Sequence, residues 1–260
     1  MSARAKFLIA AAFLFVWELL GRALELRPDF IPTPSRIVLE IYRSAPELKS
    51  HAVRTCLDLA SGYLLAAAAG IPVGILLASW ERGYHLASRA VTLLEETPLV
   101  ILTPLFFVWL GFGSLPKILV VFLLCLFPMT AGIMSGLRSV PREMADLLRT
   151  ANAGWLQSFR AVRFPMSLPK LFQGMRTATA AAMVGIAAAE FFAAEGGLGY
   201  VMLEGVARMN TPLVFAALGI FAAAGFLLHT AVVLLESALV PASSHSRRQN
   251  RQPALNTSKP

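Results

Sequence analysis

Six long stretches of mainly apolar positions run through the chain, at roughly Phe7–Leu24, Leu57–Trp80, Val91–Leu110, Ile118–Leu137, Met175–Ala194 and Pro212–Val240. A helix needs about 20 such residues to cross the hydrocarbon core of a bilayer, so each stretch predicts a transmembrane helix. Between the first and second stretches the pattern changes. Behind Pro28, Pro32 and Pro34, the residues Ile37, Val38, Ile41 and Tyr42 recur at helical spacing among charged neighbours. This predicts a short amphipathic helix lying at the outer membrane surface, with Ser35 as its N-cap. Between the fourth and fifth stretches, residues 138–170 form a second polar interruption. There Met144, Leu147, Leu148 and Ala151 share one helical face, and Trp155, Phe159 and Val162 share another. Asn152-Ala153-Gly154 separates the two, and Asn and Gly most readily take the left-handed conformation that ends a helix. Pro165 and Pro169 are expected to stop the second helix ahead of the fifth span. The apolar sides of this pair need cover, from the membrane surface or from a soluble partner.

Composition makes the membrane assignment firm. Hydrophobic residues are 57% of the 260, and charged residues only 15%. An ordinary soluble domain carries about 25% charged residues. The net charge of +8 would suggest nucleic acid in a soluble chain, but its distribution follows the membrane. With a cytoplasmic N-terminus, 15 of the 23 Lys and Arg residues fall inside and 8 outside, six of those eight in Gly21–Arg54. That is the asymmetry of cytoplasmic loops, which also places the C-terminus inside and removes nucleic acid as a partner. Arg4 and Lys6 precede the first span as in a signal peptide, but no small-residue cleavage site closes it, so it is expected to stay. Residues 241–260, rich in Ser, Asn, Gln and Arg, read as a disordered cytoplasmic tail after a transmembrane domain at 1–240. Cys56 and Cys125 form no disulfide framework and no metal-ligand spacing.

Within the spans, small residues repeat every fourth position: Gly62, Ala66, Gly70, Gly74 and Ala78 in the second, Thr177, Ala181, Gly185 and Ala189 in the fifth. Such rows let helix backbones approach closely in lipid. The fifth span is so Ala-rich that it suits lipid poorly, which predicts a place inside the bundle, near a pathway. Pro72, Pro98, Pro104 and Pro128 are expected to kink their helices. Glu18, Glu95, Glu96, Glu190, His229 and Glu236 are ionisable groups within or at the ends of spans. Most lie where a helix end reaches an interface; His229 is expected to find a partner in the bundle, and Glu190 stands out as a functional candidate.

The loop at 138–170 resembles the EAA motif of ABC importer permeases. Aligned on Phe164-Pro165, the triplet falls on Asp146-Leu147-Leu148, and Asn152 takes the glycine position. Further resemblances lie in Ile31-Pro32-Thr33-Pro34-Ser35, in Thr97-Pro98-Leu99 through Gly113, and in Phe127-Pro128. Ala189-Glu190-Phe191, Gly196-Gly197-Leu198-Gly199-Tyr200 and Thr211–Phe215 extend the likeness to the nitrate/sulfonate/taurine class, over about Trp17 to Glu236.

The resemblance implies an all-α integral membrane protein with six transmembrane helices of type I ABC importer permease architecture, in a bacterial inner membrane. It implies a homodimer, two copies of an ABC ATPase, and an external solute-binding protein. ATP and Mg would be bound by the ATPase and no cofactor by this chain, which has no G-x-x-x-x-G-K-[ST] phosphate loop. ATPase coupling is expected at Asp146, Leu147, Leu148, Ala151, Asn152, Ala153, Gly154, Trp155 and Phe159, and the translocation pathway at Glu96, Pro98, Pro104, Gly185 and Glu190. The expected cargo is a small solute such as nitrate, a sulfonate, taurine or bicarbonate, with a pyrimidine-type vitamin precursor as the alternative. A gradient-driven transporter or channel working without an ATPase is the rival from another class.

Overall fold

The structure, a computed structural model, describes residues 3–23, 30–141, 143–144, 150, 154–192 and 195–240. Among them no strand occurs, and the helices are α1 (Ala3–Ala23), α2 (Pro34–Arg43), α3 (Ala45–Ser79), α4 (Glu81–Glu96), α5 (Thr103–Leu110), α6 (Ser114–Arg138), α7 (Trp155–Ser158), α8 (Phe164–Phe192), α9 (Leu198–Ala207) and α10 (Thr211–Leu239). By length and composition α3, α6 and α10 can each cross a membrane.

The stretch expected to form one span at 91–110 is broken. Thr97 takes an extended conformation, φ −80° and ψ 129°, which ends α4. The residue before a proline is pushed out of the helical region by the ring of Pro98. A 3-10 turn at Leu99–Leu102 follows, and α5 then starts with Pro104 in its first turn, where a missing N–H costs nothing. It ends at Gly111, whose φ of +76° favours glycine.

Pro165 and Pro169 do not stop a helix either. A π-helical segment at Phe159–Arg163 joins α7 to α8, and the Phe164 N–H reaches back five residues to the Phe159 carbonyl. The wider turn carries the chain into Pro165, which sits in the first turn of α8, and Pro169 is absorbed inside that helix.

At α2 the N-cap position is Thr33, with Pro34 as the first helical residue, and not Ser35. Ser35 instead gives its N–H (3.0 Å) and its hydroxyl (2.7 Å) to the Glu18 carboxylate of α1. No residue of α2 is buried, and Val38 and Tyr42 are exposed, as an amphipathic surface helix requires. Its other tie is Glu40, which accepts a hydrogen bond from the Asn210 amide at 2.9 Å.

The chain divides into two compact units, one formed by Met1–Leu65, Leu99–Leu124 and Ala181–Phe226, the other by Ala66–Pro98, Cys125–Ala180 and Leu227–Pro260. In the first, Phe107, Val120 and Ala189 form a core with Phe106 and Leu124 against it. Gly62 is buried where a Cβ would strike Val121 and the Ile118 carbonyl, and Gly185 lies against Leu124. In the second unit Gly70 and Gly74 face Leu126, Thr130 and Ile133, and Gly132 and Gly174 bring the α6 and α8 backbones together. The small-residue row of the second span is therefore a buried seam against α6, Gly62 through Ala78 included.

The row on the fifth span is displaced by one position at its start. Thr177 is exposed, and Ala178, Ala182, Ile186 and Ala189 are fully buried. Thr177 returns its hydroxyl to the Gln173 carbonyl at 3.2 Å, which frees it from the packed side. Val184 and Phe191 are exposed on the opposite face.

Candidate functional site

Of the expected coupling residues, Gly154, Trp155 and Phe159 lie among the described residues. Asp146, Leu147, Leu148, Ala151, Asn152 and Ala153 fall outside the described residues. Gly154 precedes α7 and accepts the Ser158 N–H at 2.9 Å. Trp155 opens α7, Leu156 is exposed beside it, and Phe159 packs its ring on Phe164 with centroids 5.7 Å apart. Arg160 and Arg163 are exposed on the π segment. A basic, partly apolar knob continuous with α8 is thus presented at this end.

The expected pathway residues are placed as follows. Glu96 is the last residue of α4, and Pro98 and Pro104 are exposed on either side of the 3-10 turn. Gly185 is buried against α6. Glu190 is wholly buried near the end of α8, and both its oxygens are engaged. Oε1 accepts the Thr55 hydroxyl at 2.6 Å, and Oε2 accepts the Gly199 N–H at 2.8 Å.

Around Glu190 the first unit holds a polar cluster that pattern reading alone does not reveal. Thr55 Oγ1 also accepts the Leu198 N–H at 2.9 Å, and His51 Nδ1 accepts the Gly197 N–H at 3.0 Å. Lys117, wholly buried, donates to the Gly196 carbonyl at 2.7 Å and lies 3.6 Å from Asp58. Arg54 donates to the Glu195 carbonyl at 2.9 Å. The signal for Asp58 and Lys117 was present: each is a charge within one residue of the start of a predicted span, at 57 and 118. Gly196 and Gly197 adopt φ of +132° and +115°, and a Cβ on Gly197 would fall on the Glu190 carboxylate. The Gly-rich run is a buried turn opening α9.

In the second unit Arg176 of α8 pairs with Glu236 of α10. His229, expected to have a partner in the bundle, is exposed on α10. The side chains of Glu95, Glu96 and Trp155 lie outside the described set.

Comparison with known proteins places this architecture. The family model of the binding-protein-dependent transport system inner membrane component matches residues 70–241. The putative aliphatic sulfonates transport permease protein SsuC of Bacillus subtilis is 31% identical over 236 residues, 90% of this chain and 85% of that one. The formylaminopyrimidine transport permease protein ThiX of Halalkalibacterium halodurans is 30% identical, covering 87% and 90%. The taurine transport system permease protein TauC of Escherichia coli is 25% identical, covering 89% and 86%. Among solved structures, inward-facing MetNI, a methionine ABC transporter, superposes with a TM-score of 0.59 at 20% identity over 75% of this chain and 96% of that one, a likeness of fold. The chain belongs to the binding-protein-dependent inner membrane component family, and is a membrane-spanning permease subunit of an ABC importer.

Proposed function

We propose that this permease works as a homodimer with six spans per copy and both termini cytoplasmic. It pairs with two copies of an ATPase that binds ATP and Mg, and receives a small sulfonate-type anion from an external binding protein. The observation that carries the substrate class is the 31% identity to the aliphatic sulfonate permease along 90% of this chain. The taurine permease among its relatives points to the same chemistry.

In this reading the helix pair around Asp146–Phe159 docks on the ATPase. Closure of the ATPase dimer pulls the docked loop, and the π segment passes the movement to α8. Rocking between inward and outward forms needs only contacts that differ between the two. The pathway runs beside α8, past Gly185 and Glu190 and the start of α5 at Pro104.

The test is purification in mild detergent from the host, followed by reconstitution with the co-purifying ATPase and binding protein. ATP-dependent uptake of taurine or an alkanesulfonate is the expected result. Uptake by the permease alone, driven by an ion gradient, would overturn it. A second substrate reading is favoured by the formylaminopyrimidine permease at 30% identity, so a formylaminopyrimidine belongs in the same uptake panel.

A further inference from the structure

Five consecutive residues, Glu195 to Gly199, each have one backbone polar atom held by one side chain from elsewhere in the first unit. Arg54 takes the Glu195 carbonyl, Lys117 the Gly196 carbonyl, His51 the Gly197 N–H, Thr55 the Leu198 N–H and Glu190 the Gly199 N–H. The side chains come from three helices: α3 supplies His51, Arg54 and Thr55, α6 supplies Lys117, and α8 supplies Glu190. The last three donors lie at the start of α9, whose cap position, Gly197, has no side chain to give. Helix N-termini leave their first N–H groups without intrahelical partners. Here the N–H groups of Gly197, Leu198 and Gly199 are satisfied by side chains of neighbouring helices, with a carboxylate at the positive end of the helix dipole.

From this arrangement we infer that the Glu190–Thr55 clamp is the outer joint of the transport stroke: it couples α8 rigidly to α9, so that movement entering α8 from its cytoplasmic end is delivered to α9 without slack. Glu190 and Thr55 are positioning residues that work through α9. Burial strengthens the joint, because a donor freed here has no water to turn to. Lys117 and Asp58 support the turn from the other side, each neutralising the other's charge where either alone would be costly. Among the described residues, the buried side-chain oxygen without a hydrogen bond is Asp58 Oδ2, which the Lys117 ammonium faces at 3.6 Å. The inference rests on the proposed ATP-driven cycle for its stroke and on the hydrogen bonds alone for its rigidity.

The experiment places spin labels at Val184 on α8 and Val206 on α9, both exposed, with Cys56 and Cys125 replaced. Pulsed EPR distances are read on the permease–ATPase complex assembled so that one permease copy alone carries the pair of labels, nucleotide-free and trapped with ATP and vanadate. One narrow distance shared by both states is expected. Thr55→Val, which keeps the shape and removes the hydroxyl, should broaden the distribution and let the two states differ; Thr55→Ser should restore the single distance. Glu190→Gln should behave as Thr55→Val does. A wild-type distance that shifts with nucleotide, or a Thr55→Val distribution equal to wild type, overturns the joint. Absence of any co-purifying ATPase overturns the proposed function instead, and the nucleotide-free comparison of Thr55→Val with Thr55→Ser still judges the clamp.

Discussion

Ser35 donates twice to Glu18, a residue 17 positions earlier, so the N-terminus of α2 is capped by α1. Arg22 holds the same carboxylate one turn further along α1 at 2.7 Å. Removing the carboxylate with Glu18→Ala should free the first turn of α2 while leaving α1 in place. Faster amide exchange at Ser35, Arg36 and Ile37, with unchanged exchange in α3, is the expected result. Glu18→Asp, too short to reach Ser35, should resemble the alanine variant.

Gly197 adopts a conformation that is open almost only to glycine, with φ +115° and ψ 171°. Gly197→Ala combines that strain with a collision against Glu190, and should cost on the order of 2 kcal/mol or more. A lower thermal unfolding midpoint in detergent measures it. Gly154→Ala, where a Cβ meets nothing within 4 Å, serves as the comparison and should be near neutral.

Gly132 and Gly174 bring α6 and α8 together so closely that a Cβ on Gly132 would lie 2.9 Å from the Lys170 carbonyl and 3.1 Å from the Gly174 Cα. Gly132→Val should destabilise by about 1–3 kcal/mol through overpacking. Loss of monodisperse protein on size-exclusion chromatography is the readout, and Gly219→Val, at an open position, should leave the profile unchanged.

Arg176 and Glu236 tie α8 to α10, with the arginine side chain 36% exposed and the glutamate 13%. Half-screened pairs of this kind couple by about 1 kcal/mol, between the surface and buried limits. A double-mutant cycle with Arg176→Gln and Glu236→Gln measures the coupling. Each single variant should be less stable than the double, because each leaves one charge without its partner.

For the coupling loop the expectation is functional. Asp146→Lys, or Asn152→Val, should leave insertion and ATPase assembly intact and abolish uptake. Normal uptake in both variants would remove this loop from the mechanism.

The sequence pattern carried some of these features and not others, for reasons specific to each. The row from Gly62 to Ala78 was legible because five small residues at one spacing have few uses in a membrane other than close packing. On α8 the same logic slipped by a residue at Thr177, since neighbouring alanines make adjacent faces equivalent. Ser35 looked like a cap because the type fits, but its partner Glu18 is supplied by tertiary structure. Pro165 and Pro169 looked like stops because a π turn leaves no composition mark. Glu190 was visible as a costly charge, whereas its partner Thr55 lies 135 residues away and carries no charge to notice.

The π segment at Phe159–Arg163 has a further consequence, one of residue counting. A π turn holds more residues than an α turn, and each residue of an α-helix advances the face by about 100°. Deleting one residue within 159–163 would let the chain relax to α geometry and keep the helix unbroken. Because a π turn spends its extra residue within one revolution, Trp155 and Leu156 would keep nearly the same bearing relative to α8. A one-residue deletion in this segment should therefore be tolerated far better than one in the regular turns of α8, where it would swing the preceding residues by about 100°.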